Sequence, residues 1–405
     1  FSMIISTAFT MLYIQVPVMT LVQQMSKQLN SFSLLAIPFF ILMGEIMAAG
    51  GISSRLLAFA NVCVGQITGG LAHVNVLASM LFGGISGSAI ADVSSLGALE
   101  IPMMEEAGYE KDFSIAVTVA SSCQGLIIPP SHNMVIYATA AGGVSVGALF
   151  MAGYIPGALL AVSLMIGSYI ISVKRNYPKG EAFDIKVFLR QLSKSFWALA
   201  AVLIVVAGVV GGIFTATESA AIAVIYSMLV SVFIYRGLDW KGVWRVLGEC
   251  IDTLSIVLIL CATSSIFGYC LTYLHVPDLA SMAISGLTDN PIVLTLLINI
   301  ILLFLGCIMD MAPIILIATP ILLPLAKSIG IDPVQFGIII VLNCGIGLLT
   351  PPVGTCLFIG SAVSKVSIER IVKAALPFYV CMIVTLLAVS FIPQVSLFLP
   401  SIFIK

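Results

Sequence analysis

The chain has 405 residues, of which 60% are hydrophobic and only 9% charged, with a formal net charge of −1. Soluble domains carry about 25% charged residues, so this composition defines an integral membrane protein and excludes a soluble enzyme. The near-zero net charge leaves no basic footprint for nucleic acid.

In chain order, apolar runs suited to spanning fall at about 1–14, 33–50, 113–142, 147–173, 195–213, 217–236, 253–274, 291–309, 333–363 and 375–399. The first opens in mid-run at Phe1, with no initiator Met, basic n-region or cleavage pattern, and reads as the remains of a longer chain. Shorter pieces at 71–84, 93–104 and 312–326 are too short to cross alone and suit re-entrant hairpin arms. Segment 51–64, with Arg55, carries an interfacial anchor, as does 240–250, with Trp240, Lys241, Trp244 and Arg245. An ordinary cytoplasmic loop is the alternative for 240–250. The nine cysteines form no C-x-x-C pair and read as small packing residues. Motifs for P-loops, metalloproteases and dinucleotide binding are absent.

One stretch occurs twice, as Gly125-Leu126-Ile127-Ile128-Pro129-Pro130-Ser131 and as Gly347-Leu348-Leu349-Thr350-Pro351-Pro352-Val353. Each proline removes a backbone donor and clashes with the carbonyl four residues earlier. The carbonyls of Gly125, Leu126, Gly347 and Leu348 are therefore expected to be freed. Broken backbone at membrane depth survives only inside protein or beside a wet cavity, and matched interruptions in two halves point to a transporter's binding site. The two Pro-Pro pairs are 222 residues apart. At that offset Gly84 meets Gly306, Pro102 meets Pro324, Gly108 meets Gly330 and Ser33 meets Ser255. Identities at helix-breaking positions mark an internal duplication.

Lys174, Arg175, Lys179, Lys186, Arg190 and Lys194 crowd the loop 174–194, which the positive-inside rule places in the cytoplasm. Arg236, Lys241 and Arg245 form a second inside cluster, and Lys365, Arg370 and Lys373 a third. If 71–104 is re-entrant, five crossings separate 1–14 from 217–236. An odd number makes the halves inverted, with the turn 105–112 inside and Ser328–Asp332 outside.

The hairpin tips carry the chemistry. The first reads Gly83-Gly84-Ile85-Ser86-Gly87-Ser88-Ala89-Ile90-Ala91-Asp92, and the second Gly306-Cys307-Ile308-Met309-Asp310-Met311-Ala312-Pro313. Pro313 should free the carbonyl of Met309. Hard cations want a cage of oxygens, which a tip pressed against a broken helix supplies. Candidate ligands at the first site are Ser86, Ser88, Asp92, the Gly125 carbonyl and Ser131. At the second they are Asp310, the Gly347 carbonyl, Thr350 and Thr355. Ser86, Asp92, His132, Asn133, Asp310 and Thr355 are the candidates for facing substrate. Plainer roles stand beside these. Asp92 is also placed to cap a helix starting near Val93, and Asp310 is placed to cap its own helix. Glu45 and Glu100 suit backbone or neighbour anchoring. Glu218 suits capping after Thr215-Ala216-Thr217, and a lone His132 suits packing.

At these residues the sequence resembles the large membrane subunit of the tripartite ATP-independent periplasmic (TRAP) transporters. Leu35-Ala36-Ile37-Pro38-Phe39-Phe40, Gly83-Gly84-Ile85-Ser86-Gly87-Ser88-Ala89, Gly212-Ile213-Phe214-Thr215-Ala216-Thr217-Glu218 and Gly347-Leu348-Leu349-Thr350-Pro351-Pro352-Val353-Gly354 carry the resemblance. Ala216 stands where the family usually has Pro. The resemblance implies an all-α, inverted-repeat, elevator-type secondary transporter in the bacterial inner membrane, driven by sodium and taking up a small carboxylate. Sialic acid is favoured, with a C4-dicarboxylate next. It also implies a small four-helix membrane subunit, separate or fused, and a periplasmic substrate-binding protein. The organisation expected is scaffold at 1–70, transport half 1 at 71–146, scaffold at 147–290, transport half 2 at 291–367 and a last scaffold helix at 368–405. Two other classes compete. A passive channel also uses re-entrant loops, and Gly84-Ile85-Ser86-Gly87 fits an intramembrane serine protease with His132 as base, if Ser86 and His132 meet.

Overall fold

The computed structural model describes residues 2–404 apart from 181, 278, 280, 281, 283–287 and 289. The chain opens with α1 (Ser2–Tyr13), α2 (Val18–Leu29), α3 (Ala36–Ala49) and α4 (Ile52–Val64). Hairpin 1 runs in through α5 (Gly70–Ser86) and back through α6 (Ala89–Ser95) and α7 (Gly97–Glu106). The first broken helix is α8 (Lys111–Ser122), α9 (Gln124–Ile127) and α10 (His132–Ala140), followed by α11 (Val146–Lys174). Next come α12 (Ile185–Val210), α13 (Ala216–Leu229) and α14 (Trp240–Tyr273). Hairpin 2 is α15 (Pro291–Ile308) and α16 (Met311–Ser328), and the second broken helix is α17 (Pro333–Gly347) and α18 (Thr355–Ser364). The chain ends with α19 (Ile368–Phe391) and α20 (Pro393–Phe403). Among the described residues there is no strand, only an isolated bridge between Thr68 and Lys179.

Among the described residues seven helices are long and apolar enough to cross a membrane. Two further pairs do so together, around bends of 74° between α3 and α4 and 50° between α8 and α10. Local chemistry sets the boundaries. Asn290 and Asp332 each cap a helix whose first residue is proline. Thr215 and Glu218 complete a reciprocal capping box. Three boundaries differ from the hydropathy reading. The span expected from 195 starts at Ile185, so Lys186, Arg190 and Lys194 ride on its first turns and the linker is shorter. Segment 240–250 is neither a loop nor a separate interfacial piece, because it continues into one 34-residue helix. The second hairpin's return arm has 18 residues, enough to pass as a span.

The two halves are inverted. The start of α8 meets the start of α19, where Arg370 pairs with Asp112 at 2.9 Å. The equivalent start of α17 lies at the other end of the first broken helix, where the Tyr137 hydroxyl donates to the Pro333 carbonyl. Equivalent helices therefore run in opposite directions. The Ser163 and Thr385 hydroxyls stand 3.1 Å apart, and they are each other's counterparts at the offset of 222. Two equivalent residues touch only at the axis relating their repeats, so that axis passes between α11 and α19. The basic clusters share one end. Arg175 pairs with Glu110, beside Asp112. The Tyr235 hydroxyl donates to the Lys194 carbonyl, and Arg55 lies over the Tyr235 ring at 3.9 Å.

The helices pack as two groups. In one, α13 packs on α3 and α12, α12 on α4, and α14 on α1, α2 and α3. In the other, α11 and α19 pack on each other and cover α5, α8 and α17. Among the described residues the groups meet where α3 and α4 touch α5, where α3 touches α10, where α12 touches α11, and where α14 touches α16.

Candidate functional site

Each hairpin tip crosses a broken helix glycine on glycine. A Cβ placed on Gly83 would lie 2.2 Å from the Gly125 Cα, and one on Gly347 would lie 2.5 Å from the Gly306 Cα. No side chain fits at either crossing, so two stretches of backbone come into direct contact. The offset of 222 pairs Gly306 with Gly84, but by contact Gly306 does the work of Gly83. The tips are therefore slipped by one residue relative to the breaks. Both Pro-Pro bonds are cis.

At the first tip Ser88, and not Asp92, is the cap. Its Oγ accepts from the Ala91 N–H at 3.3 Å, and the helix starts at Ala89. The capping role considered for Asp92 is thereby removed. Asp92 is 1% exposed, and neither of its oxygens receives a hydrogen bond of normal geometry. Ser131 sits at the start of α10 with its Oγ buried and unpartnered. The carbonyls of Gly125 and Leu126 have no N–H four residues on, as expected. The Ser86 hydroxyl is engaged with Ser88, while His132 Nδ1, buried beside Gly87, has no hydrogen-bond partner. No Ser86–His132 pair forms, so the protease arrangement is absent. Asn133 is buried on the first turn of α10.

The second site is built differently. Asp310 is the cap of α16, its Oδ1 accepting from the Met311 N–H at 2.9 Å. The Gly347 carbonyl is not left free, because the Thr350 N–H reaches it at 2.9 Å. The Leu348 carbonyl accepts from the Cys356 N–H at 3.2 Å, and the Leu349 carbonyl from the Tyr379 hydroxyl. These carbonyls keep one lone pair each for a cation. Thr350 Oγ1 donates back to the Ile346 carbonyl, whereas Thr355 Oγ1 is buried without a partner. The equivalent cover over the first break is glycine. Cβ atoms on Gly153 and Gly157 would strike the Ile127 carbonyl and the Ile128 side chain. Long-range hydrogen bonds to broken backbone carry no sequence signal, so Cys356 and Tyr379 were not foreseeable.

The sites converge. Asp92 and Asp310 both act electrostatically on Cys356, and Gly345 of the second break packs on Cys123 and Leu126 of the first. From 70 to 108 and from 112 to 173 the sequence holds no Lys or Arg, and from 291 to 364 only Lys327, at the far end of α16. Asp92 and Ser131 at the first break and Thr355 at the second present buried oxygens without a hydrogen bond of normal geometry, oxygen chemistry that suits a hard cation. Sodium would be held by these residues and would supply positive charge where the chain has none.

An all-helical membrane fold with two inverted hairpin-and-break units defines a secondary transporter. Residues 1–395 match the DctM component of the tripartite ATP-independent periplasmic transporters, and the chain belongs to that family. It is 39% identical to the sialic acid TRAP transporter large permease protein SiaM of Vibrio cholerae, over 94% of this chain and 87% of that one. It is 41% identical to the isethionate TRAP transporter permease protein DctMQ of Oleidesulfovibrio alaskensis, over 91% of this chain and 58% of that longer one. The fold is similar to that of the Alcanivorax borkumensis YdaH transporter, with a TM-score of 0.69 at 13% identity, covering 93% and 87% of the two chains. The chain is thus a multi-pass membrane transporter component and not an enzyme.

Proposed function

We propose that this chain is the membrane pathway of a sodium-driven uptake system for a small carboxylate in the bacterial inner membrane, with sialic acid favoured over a C4-dicarboxylate. It works with a small four-helix membrane subunit and a periplasmic binding protein that delivers the substrate. The observation that carries the reading is the absence of Lys and Arg around two glycine-on-glycine crossings lined by orphaned oxygens. An anionic substrate in such a place needs positive charge from elsewhere. The starts of α10 and α18 offer partial charge, and bound sodium offers the rest. Coupling follows, because cation binding between tip and break completes the anion site.

Alternating access is of the elevator type, with the α11–α19 group moving against the α3–α14 group. The unequal meeting of the two groups supports this reading. In this state α3 meets α5 and α10, while its repeat counterpart α14 meets α16. Exchanging the roles of the repeats gives the opposite state, in which α3 meets the return arm of hairpin 1 and α14 meets α15 and α18.

The test is uptake of labelled carboxylate into proteoliposomes holding the membrane subunits, with sodium and binding protein varied independently. Accumulation should require both. Uptake without a sodium gradient, or robust uptake of free substrate without the binding protein, contradicts the reading.

A further inference from the structure

Glu100 lies outside the cage described above. It sits on α7, and it is 1% exposed with neither carboxylate oxygen hydrogen-bonded. Asp92, eight residues earlier on the same return arm, is equally buried but has the Ser79 hydroxyl beside it as a donor, and its charge acts on Glu100. None of the polar groups nearby reaches Glu100. Asn75 Nδ2 donates to Thr118 Oγ1 at 2.7 Å, Ser121 donates to Asn75 Oδ1 at 2.7 Å, and Ser79 and Ser121 share a hydrogen bond at 2.9 Å.

The charged and titratable groups on the packed elements offer Glu100 no counter-charge. On α5 there is His73, buried against the Tyr169 ring. On α8 Lys111 pairs with Glu105 of α7 itself, and Asp112 pairs with Arg370. The arm also carries Glu106, while α6 brings Asp92 and α18 brings Cys356. No three His, Cys, Asp or Glu side chains gather as a metal site among the described residues. A carboxylate taken from water without a partner, as Glu100 is, is too costly to stay charged, and the Asp92 charge on the same buried arm makes it costlier still. Eight residues of helix rise about 12 Å, too far for one sodium ion to bridge both groups.

We propose that Glu100 is a proton-binding site whose occupancy is linked to the cation at Asp92: the empty arm holds a proton on Glu100, and cation binding releases it. This rests on the proposed sodium site. Release lies toward the turn after Glu106, about 9 Å along the arm, on the side of the basic clusters. At a separation of about 12 Å and an effective dielectric constant of about 20, removing the charge on Asp92 changes the proton affinity of Glu100 by about tenfold. Linkage is reciprocal, so ionising Glu100 tightens sodium binding by the same factor. The apparent sodium affinity should then rise as pH rises.

Two measurements on the full chain test this. Sodium chloride is added to purified protein in weakly buffered detergent containing a pH indicator, with potassium chloride as control. Sodium titrations of uptake are also run at a series of pH values for wild type and Glu100→Gln, which mimics the protonated acid. The expected result is proton release on sodium addition to wild type but not to Glu100→Gln. With it, the half-maximal sodium concentration should fall about tenfold with rising pH in wild type and stay flat and high in Glu100→Gln. Proton-neutral sodium binding by wild type overturns the proposal without needing the variant, and so does the same pH dependence in both proteins. Absence of any sodium response in wild type overturns the sodium site first, and this proposal with it.

Discussion

Substituting alanine for Gly83 tests the crossing on which the first site depends. The new Cβ would lie 2.2 Å from the Gly125 Cα and 2.7 Å from the Gly125 N. Carbon atoms sit comfortably at about 3.5 Å, so tip and break must part by about 1 Å. Both partners are backbone, and no rotamer change relieves the clash. Overpacking of this kind costs about 1–3 kcal/mol. Metal–oxygen distances tolerate about 0.2 Å, so a cation held across the crossing loses ligands well before the hairpin unfolds. Disturbing the support of a metal site typically costs about 10–100-fold in affinity. The half-maximal sodium concentration for uptake by Gly83→Ala should therefore rise by about that factor, with assembly retained. Gly268→Ala is the control. It lies within α14, and its Cβ would meet nothing within 4 Å. It should leave the sodium titration unchanged while adding about 0.5–1 kcal/mol of helix stability. A Gly83→Ala protein with wild-type sodium dependence would show that no cation is held between tip and break.

Asp92→Asn should weaken the sodium response strongly, because Asp92 caps nothing. Asp310→Asn should preserve folding, since Asn caps about as well as Asp, and unchanged sodium titrations in both would return the sites to backbone and hydroxyl oxygens. Tyr379→Phe removes the donor to the Leu349 carbonyl and should cost about 1–3 kcal/mol in thermal or denaturant unfolding; a loss below about 0.5 kcal/mol would mean water replaces the hydroxyl. The Asp112–Arg370 pair is largely exposed on its arginine side, so Arg370→Gln should change stability by less than about 1 kcal/mol, and a larger loss would mark it as a clamp between the repeats. In a background lacking the partly accessible Cys63, Cys307 and Cys381, Lys179→Cys and Ser328→Cys should label from opposite sides of the membrane; labelling from one side would contradict the inverted topology.

The parts of this architecture that come from local chemistry were readable in the sequence. Proline removes a donor wherever it stands, so Pro129-Pro130 and Pro351-Pro352 marked the breaks, and glycines spaced 222 apart marked the duplication. The basic residues gave the inversion. Features settled by tertiary contact stayed hidden. Ser88 took the cap that Asp92 was considered for, because the helix starts four residues earlier than Val93. The tips slipped by one residue, since Gly83 and Gly84 look alike until one of them meets Gly125. The carbonyls at Gly347, Leu348 and Leu349 found donors in Thr350, Cys356 and Tyr379, two of them distant enough to leave no local trace. Glu100 read as an anchor, and only its surroundings reveal that it anchors nothing.

The 34 residues of α14 make a rod about 51 Å long, against a hydrocarbon core of about 30 Å. Repeat 1 interrupts the equivalent stretch at Asn30 and Ser31, between α2 and α3. Repeat 2 keeps it whole, so one continuous member runs from the exposed Trp240 and Trp244, at the end that carries the basic clusters, to the far side. Indole rings hold their depth at the interface, so under the elevator movement proposed above α14 is the rail against which hairpin 2 slides. The depth of that rail is set by the lipid. A thicker bilayer draws the rod upright and a thinner one tilts it, so the transport rate of this protein should respond to acyl-chain length even where no lipid touches the binding site.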